Sequence, residues 1–290
     1  MRALTNGIEI EYETFGDPAD PTLLLVMGLG CQLTWWSPDL VQAFVDRGFH
    51  VVIFDNRDVG LSTKIPTHID LMAAVAGYLQ GQAIEAPYQI ADMAADAWGL
   101  LDAIGVERAH LFGGSMGGMI VQQMAIDAPE RVITLTSVMS TTGDPDVGQP
   151  TPEAVALLLE PAPTEREANL AQALVNGRFL SGPEHCDEDW ILERNARAFD
   201  RCFHPDGVTA QLIAIVTSPS RSEGLRGLDI PALVVHGDID PLVTFSGGER
   251  TAECLQGCEF LRLEGMGHDI PRYYWSTIIE HVTAMAARAA

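Results

Sequence analysis

Short runs that are apolar at nearly every position alternate along the chain with longer runs whose apolar residues recur every three or four positions. Residues 22–27, 50–54, 109–112, 132–139, 231–236 and 260–263 are of the first kind. A continuous apolar run of this length suits a strand buried on both faces. Residues 37–47 are of the second kind, with Ser37 as N-cap and Pro38 at the first helical position. In 91–104, Met93, Ala97, Leu100, Leu101 and Ile104 share one helical face and Gly105 follows as a stop. Residues 116–128, ending before Pro129, and about 276–287 read as further helices. Near the start, Ile8, Ile10 and Tyr12 alternate with Glu9, Glu11 and Glu13, a hairpin-like β pattern. Strands alternating with helices predict an α/β fold, a mostly parallel sheet flanked by helices.

The alternation breaks at about 143–227. Four helical patterns take its place: one opening at Thr151-Pro152, one at a capping box Thr164-Glu-Arg-Glu167, one over 187–203 and one over 208–217. The expected organisation is a core of 1–142 and 228–290 with a helical cap at 143–227. Sites in such sheets lie at the carboxyl ends of the strands, so an insertion there would act as a lid.

Composition narrows the function classes. Seventeen Lys and Arg stand against forty Asp and Glu among 290 residues, a net charge of −23, and Lys64 is the only lysine. Nucleic acid and anionic membrane surfaces are therefore not expected as partners. The apolar run at 23–30 is far short of a bilayer span of ~20 residues, and residues 1–16 lack the pattern of a signal peptide. A cytoplasmic protein is expected. Cys31, Cys186, Cys202, Cys254 and Cys258 form neither a zinc pattern nor a disulfide framework and read as reduced thiols. No metal and no cofactor are expected.

The run at 109–112 leads into Gly113-Gly114-Ser115-Met116-Gly117-Gly118, and a helical pattern follows. This is G-x-S-x-G in a strand–turn–helix context. A nucleophile held there stands on a tight turn at a helix N-terminus, where large flanking side chains would collide. A phosphate loop is excluded because no Gly-Lys-Ser/Thr follows, and a dinucleotide fingerprint at Gly28-Leu29-Gly30 fails at Leu33.

A serine hydroxyl needs a base. His268, in Gly265-Met-Gly-His268-Asp-Ile-Pro271 just after the last strand, is the candidate; His236 and His110 sit at the end of and inside strands. His50, His68, His185, His204 and His281 carry no motif. The base needs an acid. Asp240 is the first candidate, with Asp238 as a turn-capping rival and Asp144 as a further one. Two backbone donors should hold an oxyanion: Met116 N–H, after the nucleophile, and Leu29 N–H, in a loop where Gly28 and Gly30 let the backbone approach the substrate.

Together these residues resemble the α/β-hydrolase superfamily over nearly the whole chain, and most of all the aclacinomycin-methylesterase-like enzymes. The pieces that carry the resemblance are Val26-Met-Gly-Leu-Gly30, Asp55-Asn-Arg-Asp-Val-Gly-Leu-Ser62, Ala91-Asp-Met-Ala-Ala-Asp96, the serine turn, Gly237-Asp-Ile-Asp-Pro241 and Gly265-Met-Gly-His268. The resemblance implies Ser115 as nucleophile, His268 as base, Asp240 as acid, and Leu29 and Met116 as oxyanion donors. Met27 stands where the wider superfamily has His, and Asp58 replaces a Gly. Residues 65–88 read as an extra helical insert near the site mouth, and Asp55 with Arg57 as a structural ion pair.

The insertion carries Leu157, Leu158, Leu159, Phe179, Trp190, Ile191, Phe199, Phe203, Leu212 and Ile215, and Trp35 and Trp36 follow the Gly28 loop. Most should hold the insertion to the core; some, Trp36 among them, should line an apolar pocket. A small, neutral, hydrophobic ester is the expected substrate. Lactone, amide or C–C bond hydrolysis, perhydrolysis, cofactor-free oxygenation and a receptor role are the alternatives. A homo-oligomer is compatible with the sequence.

Overall fold

The computed structural model describes residues 1–67, 69–80 and 82–289. Its strands are β1 (Arg2–Thr5), β2 (Ile8–Phe15), β3 (Thr22–Val26), β4 (His50–Phe54), β5 (Ala109–Gly114), β6 (Val132–Val138), β7 (Ala232–Gly237) and β8 (Glu259–Leu263). Its helices are α1 (Pro38–Val45), α2 (Leu71–Leu79), α3 (Ile90–Ala103), α4 (Met116–Asp127), α5 (Pro152–Leu159), α6 (Arg166–Ser181), α7 (Glu188–Arg201), α8 (Pro205–Thr217), α9 (Ser222–Arg226), α10 (Ser246–Cys254) and α11 (Trp275–Ala289).

The strands form one sheet in the order β1-β2-β4-β3-β5-β6-β7-β8. β1 and β2 form an antiparallel hairpin, β2 pairs antiparallel with β4, and every later pairing is parallel. Asn6 and Gly7 turn the hairpin, both at positive φ, as a two-residue connection between twisted strands requires.

The central strands are largely apolar because each has two dry faces, and buried polar residues within them are satisfied there, as His110 is by Thr134 and Ser137 by Gln122. Leu24 and Val26 of β3 pack with α3 and α4, whereas Leu23 and Leu25 pack with α1 and α11. The chain steps from β3 out to β4 and then back across β3 to β5, so the direction of winding reverses between β3 and β5. The carboxyl ends of those two strands flank the crevice where α/β sheets bind ligands.

Three details differ from the sequence expectations. The capping box at Thr164 does not form: α6 starts at Arg166, and Glu165, at its N-cap, makes no side-chain cap bond. α10 was not expected, because the face it buries is made of Gly247, Gly248, Thr251 and Cys254 rather than large apolar residues. The short α9 was not expected either. The segment 65–88 does contain a helix, α2, but none of its described residues lines the cavity over Ser115.

Candidate active site

Ser115 stands between β5 and α4 at φ 56° and ψ −122°, a left-handed conformation that is costly for any residue with a Cβ. Its surroundings hold it there. Ser115 N–H donates to Val138 O at 2.9 Å, and Ser140 Oγ donates to Ser115 O at 2.8 Å. Gly117 allows α4 to pass close to β3: a Cβ on it would lie 2.0 Å from Val26 O. The turn therefore projects the serine hydroxyl from the N-terminus of α4, where the helix dipole is positive.

The loop after β8 brings His268 to this serine, with Nε2 2.8 Å from Ser115 Oγ. On the other side of the ring, Nδ1 is 2.7 Å from Asp240 Oδ2. A carboxylate can only accept, so Nδ1 carries the proton and Nε2 faces the serine as acceptor. Asp240, on the loop after β7, is 4 % exposed. Its other oxygen accepts from Leu242 N and Val243 N at 2.8 and 2.9 Å. Burial pushes the Asp240 carboxyl up, but the neighbouring His268 and the hydrogen bonds from His236 and His268 outweigh it and hold it well below the usual carboxylate range.

The rival acids have other work. Asp238 accepts from Gly265 N and pairs with Arg262, tying β7 to the turn after β8. Asp144 accepts from Ser222 and Arg250. Among the rival bases, His110 is bonded to Thr134 Oγ1 at 2.8 Å inside the sheet, and burial pushes it down to about 4. His236 is fully buried beneath Asp240: its Nε2 donates to Val243 O at 2.8 Å and lies 3.5 Å from Asp240 Oδ2. His68 lies outside the described residues.

Leu29 lies on the loop after β3, and Met116 opens α4. Neither backbone N–H donates to a protein acceptor among the described residues, and the loop passes so close that a Cβ on Gly28 would sit 3.1 Å from Ser115 Cβ. The sequence did not reveal how this loop is fastened. Gly30 N donates to Gln211 Oε1 on α8, and Gln211 Nε2 donates to Arg57 O, each at 2.8 Å. Gln32 Nε2 caps the end of α7 through Ala198 O and Cys202 O. Asp55 takes Leu33 N and Arg201 Nη1 at 2.8 and 2.7 Å. Asp55 and Arg57 are thus structural but do not pair with each other. Arg57 forks onto Asp96 at 2.6 and 2.7 Å, and so joins the loop after β4 to α3.

A cavity of about 340 Å³ opens onto Ser115 and His268. Gly28, Leu29 and Trp36 line it, as do Trp35, Leu157, Leu158 and Trp190. Phe199 and Phe203 instead line a smaller neighbouring cavity of about 150 Å³. Ile191 is buried in packing and Phe179 is exposed. Arg194 of α7 and Asp269 also reach the main cavity, a pair the sequence did not signal. Cys31 lines it too, but burial pushes its thiol up to about 12, which keeps it protonated and leaves Ser115 as the nucleophile candidate. Among the described residues no cluster of His, Cys, Asp and Glu is arranged to hold a metal, and no helix is long and apolar enough to cross a membrane.

A sequence profile described as the alpha/beta hydrolase fold matches residues 21–271. The chain belongs to the α/β-hydrolase family. Within it, rhodomycin D methylesterase DnrP of Streptomyces peucetius is 28% identical, with 93% of this chain and 92% of the relative covered. Rhodomycin D methylesterase DauP of Streptomyces sp. strain C5 is also 28% identical, covering 89% and 88%. The enol-lactonase of Burkholderia xenovorans is a similar solved structure, with a TM-score of 0.74 at 23% identity, covering 99% of this chain and 100% of that one. Against the family pattern, Asp58 occupies a backbone position at φ 70°, the conformation for which Gly is the ordinary choice.

Proposed function

We propose that the protein is a serine-dependent carboxylic ester hydrolase that works through an acyl-enzyme on a neutral substrate with an apolar reacting end. The observation that carries this reading is the relay Asp240–His268–Ser115, with heavy-atom distances of 2.7 and 2.8 Å. His268 takes the proton from Ser115 Oγ as the oxygen attacks the ester carbonyl. Leu29 and Met116 N–H receive the oxyanion, each donor contributing on the order of 10²–10³ in turnover. Asp240 keeps His268 in the accepting tautomer and balances the imidazolium. His268 then protonates the leaving alcohol, and water repeats the sequence on the acyl-enzyme. The insertion between β6 and β7 acts as the lid. The methylesterase relatives favour an ester over other acyl substrates, and a net charge of −23 disfavours anionic ones.

The test is hydrolysis of 4-nitrophenyl acetate, butyrate and octanoate by the wild type and by Ser115→Ala. The expected result is turnover by the wild type and a loss on the order of 10⁶ in the variant. A folded wild type inert on all three, or a variant that matches it, would overturn the reading in favour of a receptor or another chemistry.

A further inference from the structure

The cavity over Ser115 has two chemically different ends. Beside the serine turn its wall is apolar, with Met139 and Ile270 3.3 and 3.9 Å from a Cβ placed on Gly114, and the Arg194–Asp269 pair next to His268 is satisfied within itself. The wall supplied by α6 changes along the helix. Residues 169, 172, 173, 176, 177 and 180 face the cavity, the spacing of a single helical face. Leu180 lies at the catalytic end, since its carbonyl accepts from His268 N at 2.6 Å. Farther from His268 the same face carries Asn176, Gln172 and Asn169. At ~1.5 Å rise per residue, these stand ~6, ~12 and ~16 Å from Leu180 along the helix axis.

These amides are largely unused by the protein. The side chains of Gln172 and Asn176 make no hydrogen bond to any described residue. Asn169 Nδ2 donates to Pro163 O at 3.1 Å, and Asn195 Nδ2, from α7, donates to Ile191 O at 2.7 Å, and neither side-chain carbonyl has a donor among the described residues. A purely hydrocarbon occupant reaching this wall would displace water from these groups without replacing its hydrogen bonds, which opposes binding. An occupant with hydroxyl or carbonyl groups at that depth would replace them.

We propose that Gln172 and Asn176, ~6–12 Å along α6 from Leu180, determine specificity by hydrogen bonding to hydroxyl or carbonyl groups of the substrate remote from its reacting carbonyl, so that the substrate is an ester apolar at its reacting end and oxygenated at its far end. This deepens the reading of Ser115 as an ester-cleaving nucleophile and rests on it. Both orientations of the ester place a distal oxygen within that span if the chain is long enough, and a short acyl group leaves the amides to water.

The probes are two matched pairs: 4-nitrophenyl octanoate against 4-nitrophenyl 8-hydroxyoctanoate, and octyl acetate against 8-hydroxyoctyl acetate. Binding of the intact esters is measured calorimetrically on Ser115→Ala, with and without the added changes Gln172→Leu and Asn176→Leu. Leucine is a good helix former, and neither amide bonds to any described residue, so α6 is retained. In at least one pair, the affinity ratio of hydroxylated to plain ester should fall by on the order of tenfold when both amides are replaced. A ratio unchanged in both pairs would overturn the proposal. Turnover of the same esters by the wild type reports separately on ester hydrolysis. Preference without turnover would overturn ester hydrolysis and keep the polar end; turnover without preference would do the reverse.

Discussion

Arg194 on α7 grips Asp269, the residue that follows His268, with Nη1 and Nη2 each 3.0 Å from a carboxylate oxygen. Ser181 at the end of α6 donates to the same carboxylate at 2.8 Å, and the Arg194 guanidinium lies 4.4 Å over the Trp35 ring. The insertion therefore holds the loop that carries His268 as well as roofing the cavity. Arg194→Met would leave the Asp269 charge sequestered without its cation. The expected cost is about 3 kcal/mol, read as a lower urea midpoint, together with a lower kcat on whichever ester is turned over. A midpoint equal to that of the wild type would show the pair to be without weight.

The same pair sets a direction for acid. Burial pushes the Asp269 carboxyl up, and the charge and hydrogen bonds of Arg194 outweigh it, so the group lies below its ordinary value in the folded state. A carboxyl depressed on folding contributes stability in full above its unfolded pKa of ~3.9, and that stability is lost as pH falls through the folded value. The melting temperature of the wild type should therefore drop more steeply between pH 5 and pH 3 than that of Asp269→Asn. Parallel curves would count against the assignment.

His236 offers a separate test of how Asp240 is held. Its Nε2–H serves the Val243 carbonyl and approaches Asp240 Oδ2, while Val243 N serves Asp240 Oδ1. His236→Phe removes the donor and leaves a buried carbonyl unpaired, at about 1–3 kcal/mol. We expect kcat to fall roughly tenfold with KM little changed. His236→Gln, which keeps an N–H donor, should recover part of the loss. If the two variants behave alike, the hydrogen bond is not what matters.

The backbone of Ser115 makes a prediction that needs no substrate. A residue with a Cβ at φ 56° stores strain that glycine does not. Ser115→Gly should therefore be more stable than Ser115→Ala by about 1 kcal/mol, with both inactive. Equal unfolding free energies would mean that the turn is not strained.

Much of this architecture is legible in one sequence, and the gaps have physical reasons. Strands β3 to β7 were readable because burial on two faces leaves a short, largely apolar run. The serine turn was readable because backbone crowding demands small residues at fixed spacing. Asp240 could only be ranked above Asp238, because both follow the same strand and only the three-dimensional course of the loop decides which oxygen meets His268 Nδ1. Arg194 with Asp269, and Gln211 with Gly30, left no local trace. Their partners are 75 and 181 residues apart, and a lone Arg or Gln on a helix looks the same whether it faces water or a loop. The expected Asp55–Arg57 pair failed for the same reason: the real partners, Arg201 and Asp96, are distant in sequence.

The insertion also imposes an order of events while the chain is being made. Gln211 and Arg201 grip a loop synthesised more than a hundred residues earlier, whereas Arg194 and Ser181 await Asp269, synthesised seventy-five or more residues later. As synthesis proceeds from the N-terminus, α7 can dock on the Gln32 side of the site before its partner on the other side exists. His268 and Asp269 are neighbours, so the ring that meets Ser115 and the carboxylate that the insertion grips leave the ribosome together, after every other side chain of that arrangement.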